Sequence, residues 1–287
     1  MTERSVQTTS VSFRGDGVRL AGDRWDPDGG AAGTVLFLHG GGQTRHSWGR
    51  AAERVARNGW ATITVDARGH GNSEWAPDGR YSLDAFVEDL YGVLDALDEL
   101  PVLVGASLGG ITALAAAGER PGSAAGLVLV DVTPRISPEG RARIVEFMAS
   151  APDGFASLAD VADAIHAYNP HRRRPRNLDG LRKNVRQRAD GRWYWHWDPQ
   201  FLDFGDEPSR DAAEDRLADA ARALKIPAML VRGSESDVVT DESVADLRRL
   251  VPGARFEEVA AGHMVAGDDN DVFTAHLVDF LGEVGAR

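Results

Sequence analysis

Val102-Leu103-Val104-Gly105-Ala106-Ser107-Leu108-Gly109-Gly110-Ile111-Thr112 is the stretch that decides how this chain folds. Three apolar residues between Pro101 and Gly105 read as a short strand buried on both faces, and the small residues from Leu108 to Gly118 read as a closely packed helix. Between them stands G-x-S-x-G. A strand that passes straight into a helix bends within two or three residues, which forces the residue at the bend out of ordinary backbone geometry. Its neighbours must be nearly free of side chains for the chain to pass itself. Ser107 is therefore expected to project its hydroxyl clear of the sheet, as the G-x-S-x-G pattern does in this strand-turn-helix context.

Outward from this turn the same alternation repeats. Thr34 to Leu38 is an almost continuous apolar run, Trp48, Ala51, Ala52, Val55 and Ala56 recur at helical spacing, and Trp60 to Val65 is again apolar. An amphipathic stretch from Leu83 to Leu97 precedes the central strand, and Leu127 to Val130 follows its helix. Ahead of all these, TTSVSF and VRLAGDRW flank a turn at Arg14, Gly15, Asp16 and Gly17, which predicts an antiparallel hairpin. After Asp131 the alternation stops, and it resumes with a strand at Pro227 to Val231, a helix at Ser243 to Leu250, a strand at Phe256 to Val259 and a helix from Asn270 to Leu281. The pattern predicts an α/β fold: a mostly parallel, doubly wound sheet with an N-terminal antiparallel hairpin. Residues 1–133 and 225–287 would form the core, and 134–224, without strong strands, a helical insertion.

Composition narrows the partners. At 287 residues the chain holds one large domain or two modest ones, and 43% hydrophobic with 26% charged residues is ordinary for a globular protein. Lys and Arg number 32 against 44 Asp and Glu, a net charge of −12, so nucleic acid and anionic membranes are disfavoured and a small molecule is the expected partner. Cysteine is absent, which removes disulfides, thiolate nucleophiles and Cys-type metal sites. The opening MTERSVQTTSVSF lacks a basic segment followed by an apolar one, so a cytoplasmic location is expected. Oligomeric state is not legible.

A serine hydroxyl attacks only when a base takes its proton. His263, in Ala261-Gly262-His263-Met264 after the last strand, sits where strand ends converge and follows the serine in chain order. A carboxylate must then orient that imidazole. Asp237 in Arg232-Gly233-Ser234-Glu235-Ser236-Asp237 is the first choice, with Glu235 and Asp131 as competitors. His39-Gly40-Gly41-Gly42 follows the first central strand, and a loop so poor in side chains can turn N–H groups toward a developing oxyanion. The amides of Gly41 and Leu108 are the expected donors, the second helped by the helix dipole. His39, Gly40, Trp193 and Trp195 are candidate pocket residues, although the cluster Trp193, Tyr194, Trp195 and Trp197 serves equally well as packing. HRRRPR at 171–176 reads as a solvated surface. No metal site is expected, because His39, His70 and His263 are scattered without a spaced His pair.

Together these residues resemble the α/β-hydrolase family over nearly the whole chain, and Asp66-Ala67-Arg68-Gly69-His70-Gly71-Asn72-Ser73 looks like its D-x-x-G-x-G-x-S loop. The resemblance implies that the insertion is a helical cap, and it is closest to the capped epoxide-hydrolase and haloperoxidase-like branches. It also implies an acid three residues after a strand-ending glycine; here Ser236 holds that slot and Asp237 comes one later. Ser107 replaces the aspartate nucleophile of epoxide hydrolases and haloalkane dehalogenases, which disfavours alkyl-enzyme chemistry. The expectation is a cofactor-independent serine hydrolase of small or medium carboxylic esters or lactones acting through an acyl-enzyme. C–C bond hydrolysis of the meta-cleavage type, perhydrolysis and a receptor built on the same fold are the alternatives.

Overall fold

The computed structural model describes residues 4–169, 177–203, 210–263, 265 and 271–285. Its centre is an eight-stranded sheet formed by β1 (Val6–Arg14), β2 (Arg19–Pro27), β3 (Thr34–Leu38), β4 (Ala61–Val65), β5 (Val102–Ala106), β6 (Gly126–Val130), β9 (Ala228–Gly233) and β10 (Arg255–Val259). The spatial order is β1-β2-β4-β3-β5-β6-β9-β10; β1 pairs antiparallel with β2 and β2 with β4, and every later pairing is parallel. Every residue of β4, β5 and β6 is buried, which is why these strands read as unbroken apolar runs rather than as alternation.

Helices cover both faces. On one, α2 (Leu83–Leu94), α3 (Leu108–Glu119), α6 (Arg210–Ala223) and α7 (Asp241–Leu250) bury Leu90, Leu114, Leu217 and Leu247 against Leu36, Leu103 and Leu127. On the other, α1 (Gly49–Arg57) and α8 (Asp271–Gly285) bury Val55, Phe273, Leu277 and Phe280 against Val35, Val104 and Val128. The caps agree with the sequence: Ser82 accepts from the Ala85 N–H at the start of α2, and Thr240 and Ser243 form a capping box on α7.

Residues 134–224 differ from expectation in two respects. Besides α4 (Pro138–Met148) and α5 (Leu158–Tyr168), they contain a small antiparallel pair, β7 (Val185–Gln187) with β8 (Trp193–Trp195). Three residues per strand are too few for a period of two to show. Moreover, α6 belongs with the core layer. Leu217, Ala220 and Ala221 join the central cluster, and a methyl placed on Gly118 of α3 would lie 2.3 Å from the Ala220 carbonyl oxygen. α6 thus packs with the core layer, on α3. The insertion's own apolar cluster, with Phe155, Val161, Trp195, Trp197 and Phe201, includes Leu108 and Phe86 of the core. The basic run at 171–176 lies outside the described residues.

Candidate active site

Strand register brings the chemistry together. Ala106 pairs with Val130, Val130 with Val231, and Gly233 with Val259, so Ser107, Asp131 and the 261–263 loop leave the carboxyl edge of one sheet side by side. Ser107 has φ 46° and ψ −116°, the strained geometry expected of a residue between strand and helix. Neighbouring glycines permit it: a Cβ on Gly105 would meet the Gly109 carbonyl oxygen at 2.4 Å, and one on Gly109 would meet the Leu38 oxygen at the same distance.

The acid beside His263 is not Asp237. His263 Nδ1 lies 2.8 Å from Asp131 Oδ2, and because a carboxylate only accepts, Nδ1 is the donor, which in the neutral tautomer leaves the lone pair on Nε2. Asp131, with φ 48°, is fully buried at the end of β6. Its Oδ1 accepts from the Gly233 N–H at 2.9 Å, and Oδ2 also accepts from Ser236 Oγ at 2.6 Å. Ser236 Oγ in turn accepts from the Val238 and Val239 N–H groups. The residue in the slot where the resemblance anticipates an acid is therefore a donor to the acid that stands one strand away. Asp237 is exposed and paired with Arg143 of α4, and the exposed Glu235 faces the 261–263 loop through its backbone N–H on the Ala261 oxygen. The sequence did carry a signal, since Asp131 ends a core strand, but chain order favoured the later loop.

The 39–42 loop lies against the turn at Ser107. A methyl on Gly40 would sit 3.3 Å from Ser107 Cβ, and the Gly109 N–H donates to the His39 carbonyl at 3.1 Å. The Gly40 carbonyl accepts from His39 Nδ1 at 2.8 Å and from the Gln43 N–H at 3.1 Å, so the Gly40–Gly41 peptide is held in one orientation and its N–H points the opposite way. Among the described residues neither the Gly41 nor the Leu108 N–H has a hydrogen-bond partner in the chain. Two unspent donors beside a strained serine, one of them at the N-terminus of α3, form a site suited to an oxyanion.

His39 is placed behind the loop rather than in a pocket: it is buried, and its Nε2 accepts from the Ala67 N–H at 3.0 Å. It borders a small cavity of about 40 Å³ that also touches Leu108, Gly109 and Asp89. Trp195 is packing: it stacks on Trp197 at 4.8 Å, and its indole N–H donates to the Ser150 carbonyl. Trp193 lies under the Arg182 guanidinium and pairs with Phe155. Of the groups that do crowd the 39–42 loop, Trp197 belongs to the aromatic cluster noted in the sequence, whereas Phe201 and Met148 carry no such signal there. Phe201 and Met148 lie 3.5 Å and 3.7 Å from a methyl built on Gly41, and Met148 and Trp197 each lie 3.3 Å from one on Gly42.

Two further histidines flank that loop, one within the 66–73 stretch and one with no signature in the sequence. His70 and His196 are both buried, with ring centroids 5.7 Å apart, and His39 lies 5.3 Å from His70. Burial, reinforced by His39, pushes His70 down to about 3, and burial likewise holds His39 below and His196 well below the ordinary imidazole range. All three are neutral, with ring nitrogens engaged by backbone groups. Among the described residues no group of three or more His, Cys, Asp and Glu is arranged to hold a metal ion, and no helix is long and apolar enough to cross a membrane.

A strained serine at a strand-to-helix bend, on the carboxyl edge of a sheet of this order, defines a hydrolase-type fold. The family model described as "alpha/beta hydrolase fold" matches residues 33–269, and the chain belongs to that family. It is 35% identical over 255 residues to the esterase Rv0045c of Mycobacterium tuberculosis, covering 85% of this chain and 80% of that one. The crystal structure of that esterase superposes with a TM-score of 0.73 at 33% identity, over 96% of this chain and 92% of the other. The mouse sn-1-specific diacylglycerol lipase ABHD11 is 30% identical over 260 residues, 86% of this chain and 80% of the relative. The structure of E-2-(acetamidomethylene)succinate hydrolase gives a TM-score of 0.80 at 22% identity, over 96% of this chain and all of the other, a likeness of fold.

Proposed function

We propose that this chain is a cofactor-independent serine hydrolase of carboxylic esters, working through an acyl-enzyme with Ser107, His263 and Asp131 as its triad. The observation that carries the reading is the 2.8 Å contact between His263 and buried Asp131, on the sheet edge that also presents strained Ser107. Likeness to an esterase and to a diacylglycerol lipase, each at 30% identity or more, supports the ester as the bond attacked.

In the first half-reaction Ser107 Oγ forms a bond to the ester carbonyl carbon while its proton passes to His263 Nε2. The carbonyl π electrons move onto oxygen, which the Gly41 and Leu108 N–H groups receive. Asp131 holds the imidazole in the required tautomer and offsets the imidazolium charge. The tetrahedral centre collapses, the C–O bond to the alcohol breaks, and His263 returns the proton to the departing oxygen. Water, deprotonated by the same nitrogen, then attacks the acyl carbon; the bond from that carbon to Ser107 Oγ breaks, His263 returns the proton to the serine oxygen, and the acid is released. The insertion, through Met148, Trp197 and Phe201, acts as an apolar cap over the acyl side.

Incubation with a fluorophosphonate and hydrolysis of p-nitrophenyl butyrate test the reading. Wild type should add one phosphonyl group at Ser107 and turn over the ester, and Ser107→Ala should do neither. Retained turnover by Ser107→Ala, or labelling at another residue, overturns it.

A further inference from the structure

Gly42 is gripped on both of its backbone groups by imidazoles from different parts of the chain. Its N–H donates to His70 Nε2 at 3.1 Å, and its carbonyl faces His196 Nε2 at 3.4 Å. The tautomers follow from the other ring nitrogens. His70 Nδ1 lies 2.9 Å from the Arg68 carbonyl and must donate to it, leaving Nε2 as acceptor. His196 Nδ1 accepts from the Gly71 N–H at 2.8 Å, so its hydrogen sits on Nε2, toward Gly42. His196 comes from the insertion, whereas His70 and Gly71 belong to the loop after β4. The neighbouring Trp197 ring, edge-on to His196 at 5.3 Å, completes the grip by packing on the face of Gly42.

Gly42 has φ +71° and directly follows the residue whose N–H is unspent. A glycine in the left-handed region preceded by two more glycines has wide backbone freedom, and a donor aimed at a transition state is useful only if its direction is fixed beforehand. On the other side of Gly41, His39 and Gln43 already fix the Gly40 carbonyl. We propose that His196 is a positioning residue for catalysis: bridging Gly71 and Gly42, it lets the insertion hold the Gly41 N–H on the oxyanion. The inference rests on the serine-hydrolase reading of the same site. It adds that the insertion contributes to turnover as well as to substrate contact.

The test compares His196→Asn with His196→Gln in the full-length chain. Asn places an acceptor where Nδ1 stood and retains the bond from Gly71, but it is too short to reach Gly42. Gln carries an N–H donor far enough to reach Gly42. With p-nitrophenyl butyrate, His196→Asn should lower kcat roughly 10-fold or more, because small misplacement of a reacting group is costly. KM should stay within about threefold, since binding is not what the bridge improves. Its inhibition constant for an aliphatic trifluoromethyl ketone, whose adduct carries the oxyanion, should rise by the same factor. His196→Gln should recover part of the loss, and urea midpoints separate these effects from stability. A kcat for His196→Asn within twofold of wild type, a loss confined to KM, or unchanged ketone inhibition overturns the inference. Should wild type itself fail to react with a fluorophosphonate at Ser107, it is the serine-hydrolase reading that fails.

Discussion

Ser107 sits at φ 46° because the residues around it leave no room for any other path. A single methyl on Gly105 would meet the Gly109 carbonyl oxygen at 2.4 Å, and one on Gly109 would meet the Leu38 carbonyl oxygen at 2.4 Å. Backbone cannot swing aside as a side chain does, so Gly109→Ala should destabilise the fold by about 1–3 kcal/mol, the usual cost of overpacking. Gly253 has nothing within 4 Å of the same methyl and no left-handed φ, so Gly253→Ala should be neutral or raise stability by roughly 0.4–1 kcal/mol. Urea midpoints of the two variants check this. The placing of Ser107 and His263 on one sheet edge was legible at this scale, because each stands beside a strand end in a glycine-marked loop. Which carboxylate meets His263 was not: Asp131 and Asp237 both follow core strands, and only the fold shows that His263 and Ser236 bond to the former while Arg143 takes up the latter.

Among the elements, loops tie strands and helices together through buried polar groups. Arg68, in the loop after β4, makes two 2.7 Å hydrogen bonds to the Asp89 carboxylate on α2, and both side chains are almost fully buried. Burial lifts the Asp89 carboxyl, and the Arg68 bonds oppose that rise. Such a pair contributes little net stability, yet removing one partner strands the other charge. Asp89→Ala should accordingly cost about 3–5 kcal/mol, read from urea unfolding. The sheet and its helices were legible because burial on both faces of β4, β5 and β6 leaves continuous apolar runs. The insertion was legible only as a break in alternation. Its paired strands are three residues long, and the alanines of α6 do not say which neighbour they pack against; in the fold α6 lies on α3.

For the whole molecule, the three buried histidines link stability to pH. Each is held neutral when folded, His70 down to about 3, whereas in the unfolded chain each takes a proton near the ordinary value of about 6.5. The unfolded state therefore binds more protons below that value, and stability is lost as pH falls. Each histidine that stays neutral contributes a loss of roughly 2 kcal/mol between pH 6.5 and 5, ahead of most carboxylate titration. Urea unfolding at pH 7.5, 6.5 and 5 should show midpoints that fall slightly over the first interval and several times more over the second. A flat profile to pH 5 would mean that these rings are protonated in the folded protein.

The most direct test of the triad compares kcat/KM for Asp131→Asn and Asp237→Asn with a p-nitrophenyl ester. Asp131→Asn should leave the fold in place yet lower the value by roughly 10³- to 10⁴-fold, because His263 loses the acceptor that fixes its tautomer. Asp237→Asn, which removes only a half-exposed pair with Arg143, should stay within a few-fold of wild type. The reverse order, with Asp237→Asn crippled and Asp131→Asn close to wild type, would contradict the account.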